Sequence, residues 1–237
     1  MERVSTGIAG LDGLLSGGFP KGSTTLVSGG TGTGKSLFGL QYLYYGAKEE
    51  KQPGLYVTLE TSTSNLSWDM ESFNWDFKAL QDLELLKIYR MKLVSNSSQE
   101  FEREVKAQLE VIARTVKELN IQRLVLDSST AFSNFVKEPG RLRYMLYELS
   151  SALKELNATS ILTAETQGLR DQYSAYGVEE FVADGVISLY FTPPNRSLFI
   201  RKMRGTSHSK KVHPLDISSK GVSVKPQDEV LWEALNK

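Results

Sequence analysis

The sequence contains no cysteine. Disulfides, a cysteine nucleophile and thiolate zinc sites are therefore excluded. Histidine is nearly as scarce. Only His208 and His213 are present, without a companion cluster of ligands, so a histidine-based metal site is not expected. Neither sign of charge is in excess, because 28 Lys and Arg balance 28 Asp and Glu. No global field draws such a chain to nucleic acid or an acidic membrane, which leaves only local basic patches to do so. No apolar run approaches the ~18 residues of a membrane helix, and the opening "MERVSTGIAG" has no apolar signal core. A soluble, cytoplasmic protein with no membrane partner is the expectation. Apolar residues are plentiful, at 40% of 237. That is enough for one domain spanning 1–237 with an ample core, and too little chain for two full-sized ones.

Apolar segments alternate between strand and helix periodicity. "TTLVSGG" (24–30), "GLYVTLE" (54–60), "LELLKIY" (83–89), "QRLVLDSS" (122–129) and "ATSILTAE" (158–165) read as strands. "KSLFGLQYLYYGAKEE" (35–50) reads as a helix. After Ser97 and Glu100, which form a capping box, Phe101, Val105, Leu109, Ile112, Val116 and Leu119 recur at helical spacing. Another helix starts at Pro139 and carries Leu142, Met145, Leu146, Leu149, Leu153 and Leu156. Beyond residue 183 the pattern changes to strands joined by turns such as "TPPN", without helices between them. The expected fold is α/β: a mostly parallel central sheet flanked by helices, extended by antiparallel strands at the C-terminal end. In "STSNLSWDMESFNWDFK" (62–78), Trp68, Phe73, Trp75 and Phe77 fit either a partner surface or a helix packed on the sheet. The segment 166–182 reads as an irregular functional loop.

"GGTGTGKS" (29–36) matches G-x-x-x-x-G-K-[ST], with a strand before it and a helix after it. Glycines let backbone N–H groups curl around a phosphate, and the helix N-terminus adds its positive dipole. The expected nucleotide contacts are Gly29, Gly30, Thr31, Gly32, Thr33, Gly34, Lys35, Ser36 and Leu37. Lys35 is placed to reach the terminal phosphates and Ser36 to bind Mg²⁺. Asp127 ends a buried strand, where a carboxylate can hold the metal through water. Glu60 and Glu165 also end strands. Glu60 is expected to orient the attacking water, and Glu165 or Thr163 to sense the γ-phosphate.

One cluster is left over. "RKMRGTSH" (201–208) puts three cations at what reads as a hairpin tip. Such clusters are usually solvated surface. Together with "STGIAGLDGLLSGGFPKGSTTLVSGGTGTGKS" (5–36) and "YGVEEFVADGV", however, the segment resembles the RecA/RadA superfamily, and its KaiC-type branch in particular. The resemblance runs from Ser5 to about Lys225.

The resemblance implies a RecA-like P-loop ATPase that binds ATP (or ADP) with Mg²⁺ and assembles as a homo-oligomer, typically a hexameric ring, with nucleotide between subunits. It implies that Lys202 and Arg204 reach the neighbour's nucleotide, with Met203, Thr206 and His208 lining its other side, and Ser218 lining the nucleotide again. ATP rather than GTP rests on this resemblance alone. Many members carry paired glutamates where this chain has Glu60–Thr61, which implies slow turnover or a module that holds ATP without turning it over. The phosphorylated Ser–Thr pair of the clock protein's second domain aligns near Glu180–Phe181, so autokinase activity is not expected. The implied role is a nucleotide-driven regulator or assembly ATPase with an unidentified protein partner. The alternative is a RadA-paralogue that binds DNA in recombination or repair, through 128–138 and 166–177, with Phe132, Phe135, Tyr173 and Tyr176 available for stacking.

Overall fold

The computed structural model describes residues 1–59, 63–93, 98–136, 138–166 and 183–236. The elements in chain order are β1 (Arg3–Val4), α1 (Leu11–Leu14), β2 (Phe19–Pro20), β3 (Thr24–Gly29), α2 (Lys35–Lys48), β4 (Gly54–Thr58), α3 (Thr63–Ser72), α4 (Phe77–Asp82) and β5 (Leu86–Arg90). Then come α5 (Ser98–Glu118), β6 (Arg123–Asp127), a 3-10 turn (Ser129–Asn134), α6 (Pro139–Glu155), β7 (Thr159–Glu165), β8 (Gly185–Thr192), β9 (Asn195–Met203), β10 (Val212–Ser218) and β11 (Gly221–Val224). A last 3-10 turn covers Trp232–Asn236. Among the described residues no helix is long and apolar enough to cross a membrane.

The main sheet has the order β11-β10-β9-β8-β3-β7-β6-β4-β5 among the described residues. From β8 to β5 the pairs are parallel, and from β8 outward to β11 they are antiparallel. This is the expected α/β sheet with an antiparallel extension. Its central parallel strands β3, β4 and β6 are buried throughout, which explains why they read as continuous apolar runs rather than alternating ones. Each strand still sorts its side chains by the period of two. Val27 and Val125 face one core with Phe38, Tyr42 and Leu43 of α2. Leu26, Leu124 and Leu126 face the other, with Phe101 and Ile112 of α5 and Leu146, Leu149 and Leu153 of α6. The stripes expected of α5 and α6 are thus the faces that cover the sheet. Ser97 lies outside the described residues.

Several boundaries move. The strand expected over 83–89 runs over Leu86–Arg90, because Glu84 adopts φ 57° and turns the chain first. The strand expected over 54–60 ends at Thr58 and that over 122–129 at Asp127. The aromatics of 62–78 divide. Trp75 and Phe77 are buried, and Tyr44 of α2 stacks on both, at 5.2 and 5.7 Å. Phe73 stacks on Trp75 at 5.0 Å, while Trp68 is 68% exposed.

The N-terminal segment is pinned across the base of the sheet. Its β1 pairs with β2, and Asp12 accepts hydrogen bonds from Ser5 Oγ at 2.6 Å and from Thr6 N at 2.8 Å. Arg123, wholly buried, donates to Ser5 O at 2.9 Å, Tyr42 O at 3.0 Å and Gln52 Oε1 at 2.7 Å. Its guanidinium lies over the Tyr42 ring at 4.6 Å. Burial pushes its pKa down, and the neighbouring Tyr42, Glu50, Tyr45 and Asp12 push it back up.

Candidate functional site

All of β3 is buried, and it delivers Gly29 to the edge where parallel strands end and ligands bind. The chain then turns through 30–34 into α2, which starts at Lys35. Two glycines make this turn what it is. Gly34 has φ +98°, and a Cβ there would lie 2.9 Å from Ile217 Cδ1. A Cβ on Gly29 would lie 2.5 Å from Leu189 O and 2.8 Å from Thr33 Oγ1. Neither position leaves room for a Cβ, and the turn between them is the candidate phosphate cradle. Thr33 Oγ1 closes it by donating to Gly30 O at 2.8 Å, and Thr31 and Gly32 form its exposed tip. Ser36 and Leu37, both half-buried, lie in the first turn of α2.

Lys35 is 8% exposed, and its Nζ donates to Gly30 O at 3.0 Å. Glu165 Oε1 stands 4.0 Å from Nζ. Burial pushes the Lys35 ammonium pKa below its usual value, and Glu165 and then Asp127 raise it in part. A buried ammonium held mainly by a carbonyl is an unfavourable arrangement unless an anion joins it. The donor set fits a polyphosphate.

Asp127 ends β6 and is 6% exposed. Tyr56 of β4 donates its hydroxyl to Oδ2 at 2.5 Å, and Thr163 of β7 donates its hydroxyl to Oδ1. Three strands thus fix one carboxylate behind the cradle. This separates the two candidates for a γ-phosphate contact. Thr163 is wholly buried and committed to Asp127, whereas Glu165 has a half-exposed side chain facing Lys35. Glu60 lies outside the described residues. Leu59, just before it, donates its N–H to Asp127 O at 3.0 Å.

The turn also has walls that no local motif announces. Arg196 of β9 donates from Nε to Gly32 O at 2.9 Å, and its guanidinium lies 4.4 Å over the Phe191 ring. Ile217 presses on Gly34 from β10. Ser218 follows Ile217 at the same edge of the sheet, exposed, its Oγ accepting from Lys220 N at 3.2 Å. The signal for these residues is the strand register, which pairs Phe191 with Arg196 and sets β8 beside β3.

The basic segment sits elsewhere. Gly185 of β8 pairs with Thr25 at the start of β3, and Met203 pairs with Gly185. From Thr25 to Gly29 are four strand steps, about 13 Å at ~3.3 Å per residue. Lys202 and Arg204 therefore occupy the edge of the sheet opposite the cradle. Lys202 Nζ donates to Ala183 O at 2.7 Å, and Arg204 Nη1 pairs with Asp184 Oδ1 at 3.3 Å. Gly205, at φ +65°, turns the chain, and Arg3 donates to Thr206 Oγ1 at 2.6 Å. His208 Nδ1 contacts Ser209 O at 2.9 Å. Met203 is 4% exposed and packs in the core, so within one subunit it is not on the surface with Lys202 and Arg204. The structure gathers Lys202, Met203, Arg204, Thr206 and His208 at one edge, and Ser218 at the other.

Of the loops suited to stacking bases, 128–138 uses its aromatics internally. Phe132 is 1% exposed, and Phe135 stacks on Phe101 at 4.5 Å. Tyr173 and Tyr176 lie outside the described residues.

A parallel sheet with a glycine cradle at the strand ends, a helix leaving from it and a carboxylate on a neighbouring strand defines a P-loop nucleotide-binding fold. The chain belongs to the KaiC family of ATPases: residues 4–229 match the family model described as "ATPase: KaiC". The UPF0273 protein PF1931 of Pyrococcus furiosus is 35% identical over 243 residues, which cover 98% of this chain and 96% of that one. The circadian clock oscillator protein KaiC of Parathermosynechococcus lividus is 35% identical over 234 residues, 95% of this chain but 43% of that one. The chain thus spans less than half the length of the clock protein. In three dimensions it superposes on the KaiC-like protein PH0186 of Pyrococcus horikoshii with a TM-score of 0.84 at 40% identity, covering 95% of this chain and 99% of that one. The fold is that of the RecA-like core, as the sequence led one to expect.

Proposed function

We propose that the chain is an Mg²⁺-dependent ATPase that works as a homo-oligomeric ring, with each nucleotide held between two copies. One observation carries this reading. The cradle and the Lys202–Arg204 arm lie at opposite edges of one sheet, so one subunit cannot bring both to the same phosphates. Stacked side by side, one copy's arm can face the next copy's cradle. The 1–237 chain acts as one domain in this scheme.

In this reading the N–H groups of 29–34 and Lys35 hold the phosphates, and Ser36 and Asp127 hold the metal. When bound, Mg²⁺ neutralises charge on the phosphates. Glu60 orients the attacking water, and Glu165 lies close enough to Lys35 to feel whether the terminal phosphate is present. Arg196 and Phe191 flank the cradle at Gly32. Lys202 and Arg204, supplied in trans, stabilise the charge that develops, a contribution of about a thousandfold or more in rate. Nucleotide-driven assembly then regulates a protein partner.

Mixing tests this. Arg204→Ala and Glu60→Ala proteins are each expected to be nearly inactive. A mixed assembly is expected to regain turnover, because some interfaces pair an intact cradle with an intact arm. Absence of any rescue in demonstrably mixed assemblies overturns the trans assignment.

A further inference from the structure

Arg204 is held in the separate subunit by a carboxylate that it shares. Asp184 Oδ1 lies 3.3 Å from Arg204 Nη1 and 3.1 Å from Lys154 Nζ of α6. The rest of Asp184 is committed to the sheet. Its Oδ2 accepts from Thr24 N at 3.1 Å, its N–H donates to Thr24 O at 2.8 Å, and its carbonyl accepts Arg204 N at 2.9 Å. The Asp184 side chain is only 18% exposed, against 57% for that of Arg204 and 38% for that of Lys154. Asp184 is the fixed member of the trio and the Arg204 guanidinium the loose one.

This geometry matters for an arm that has to leave. A half-buried carboxylate stripped of its single counter-ion would resist the departure. Here a second cation already sits on the same oxygen, so the carboxylate stays neutralised after Arg204 swings away. The Arg204 main chain remains anchored to Asp184 O, which keeps the swing local.

We infer that Asp184 parks the Arg204 guanidinium in the free subunit and hands it over to the phosphates bound by a neighbouring copy, while Lys154 remains as the counter-charge. This rests on the trans reading proposed above. Asp184 is thus a positioning residue, and the trio sets how readily copies assemble around nucleotide.

The test follows assembly by light scattering against protein concentration, with Mg²⁺ and a non-hydrolysable ATP analogue, at low and high salt. Asp184→Asn keeps the acceptor for Thr24 N but loses the charge. Its assembly midpoint is expected to fall about twofold to fivefold, the span of an exposed ion pair. Lys154→Met leaves Arg204 as the sole counter-ion among the described residues and is expected to raise the midpoint by a similar factor. Both shifts shrink at high salt, where surface charges are screened. In an Arg204→Ala background, Asp184→Asn is expected to change nothing further. A folded Asp184→Asn protein with an unchanged or raised midpoint overturns the hand-over. If that variant does not fold, an unchanged or lowered midpoint for Lys154→Met overturns it. Arg204→Ala protein that assembles and turns over as the parent does overturns the trans reading itself, which is a separate result.

Discussion

The phenol of Tyr56 donates a hydrogen bond to Asp127 at 2.5 Å, from one buried strand to the end of the next. Together with the Thr163 hydroxyl it holds both carboxylate oxygens in place. The carboxylate proposed to hold the metal is therefore oriented before any ligand arrives.

Tyr56→Phe removes one of those donors while preserving the ring. Leaving a buried acceptor short of a partner costs about 1–3 kcal/mol. Urea unfolding of the nucleotide-free protein is expected to show a loss in that range, and nucleotide binding to need more Mg²⁺. Unchanged stability and unchanged Mg²⁺ dependence would remove Tyr56 from this role.

Lys35 is a case in which function and stability pull apart. Burial holds its ammonium pKa below the usual 10.5, so the folded chain gives up this proton at lower pH than the unfolded chain does. Between the folded value and 10.5 the unfolded chain binds more protons at this site, and stability rises with pH through that window. Below the window the buried charge is a constant penalty. Lys35→Met is expected to lose ATP binding, to be more stable than the parent at neutral pH without nucleotide, and to lack the alkaline rise. Calorimetry against pH checks all three signs, with ATP titrated in at neutral pH. Micromolar ATP binding retained by the variant would contradict the cradle assignment.

Gly34→Ala places a methyl group against Ile217 on a backbone at φ +98°. The strain is confined to the turn, so the chain is expected to fold with a normal far-ultraviolet spectrum. Binding of a fluorescent ATP analogue is expected to weaken at least tenfold, because the N–H groups of the cradle are displaced. Wild-type affinity in this variant would show that the cradle tolerates a side chain and does not grip phosphate closely.

What could be read in the sequence was what is local. Lys35, Ser36 and Asp127 announce themselves through glycine spacing and the last residue of an apolar strand. The helices α5 and α6 announce themselves through period, with the Ser97–Glu100 capping box and Pro139 marking their starts. Arg196, Phe191 and Ile217 could not be found this way. They touch the cradle only because β8 lies beside β3 and the β8–β9–β10 meander folds back along it, a pairing between distant segments. Arg123 starts the strand β6. Its complete burial depends on Gly46, where a Cβ would lie 2.2 Å from Arg123 Cδ. The aromatics of 62–78 fitted either a partner surface or a packed helix, and Tyr44, on a different helix, decides the matter for Trp75 and Phe77. The basic arm is the reverse case. Its family resemblance was plain, but its place relative to the cradle depended on the antiparallel direction of β9.

In the proposed ring the nucleotide site is completed between copies of the chain. The most direct measurement is the Mg²⁺-ATPase rate per chain as a function of protein concentration, from well below to well above micromolar, with light scattering at each point. Sites completed between copies give a rate per chain that rises and then levels off as the scattering reports assembly. A constant rate per chain, in samples whose scattering shows separate subunits at the lowest concentration, would contradict it and place a complete site within one chain.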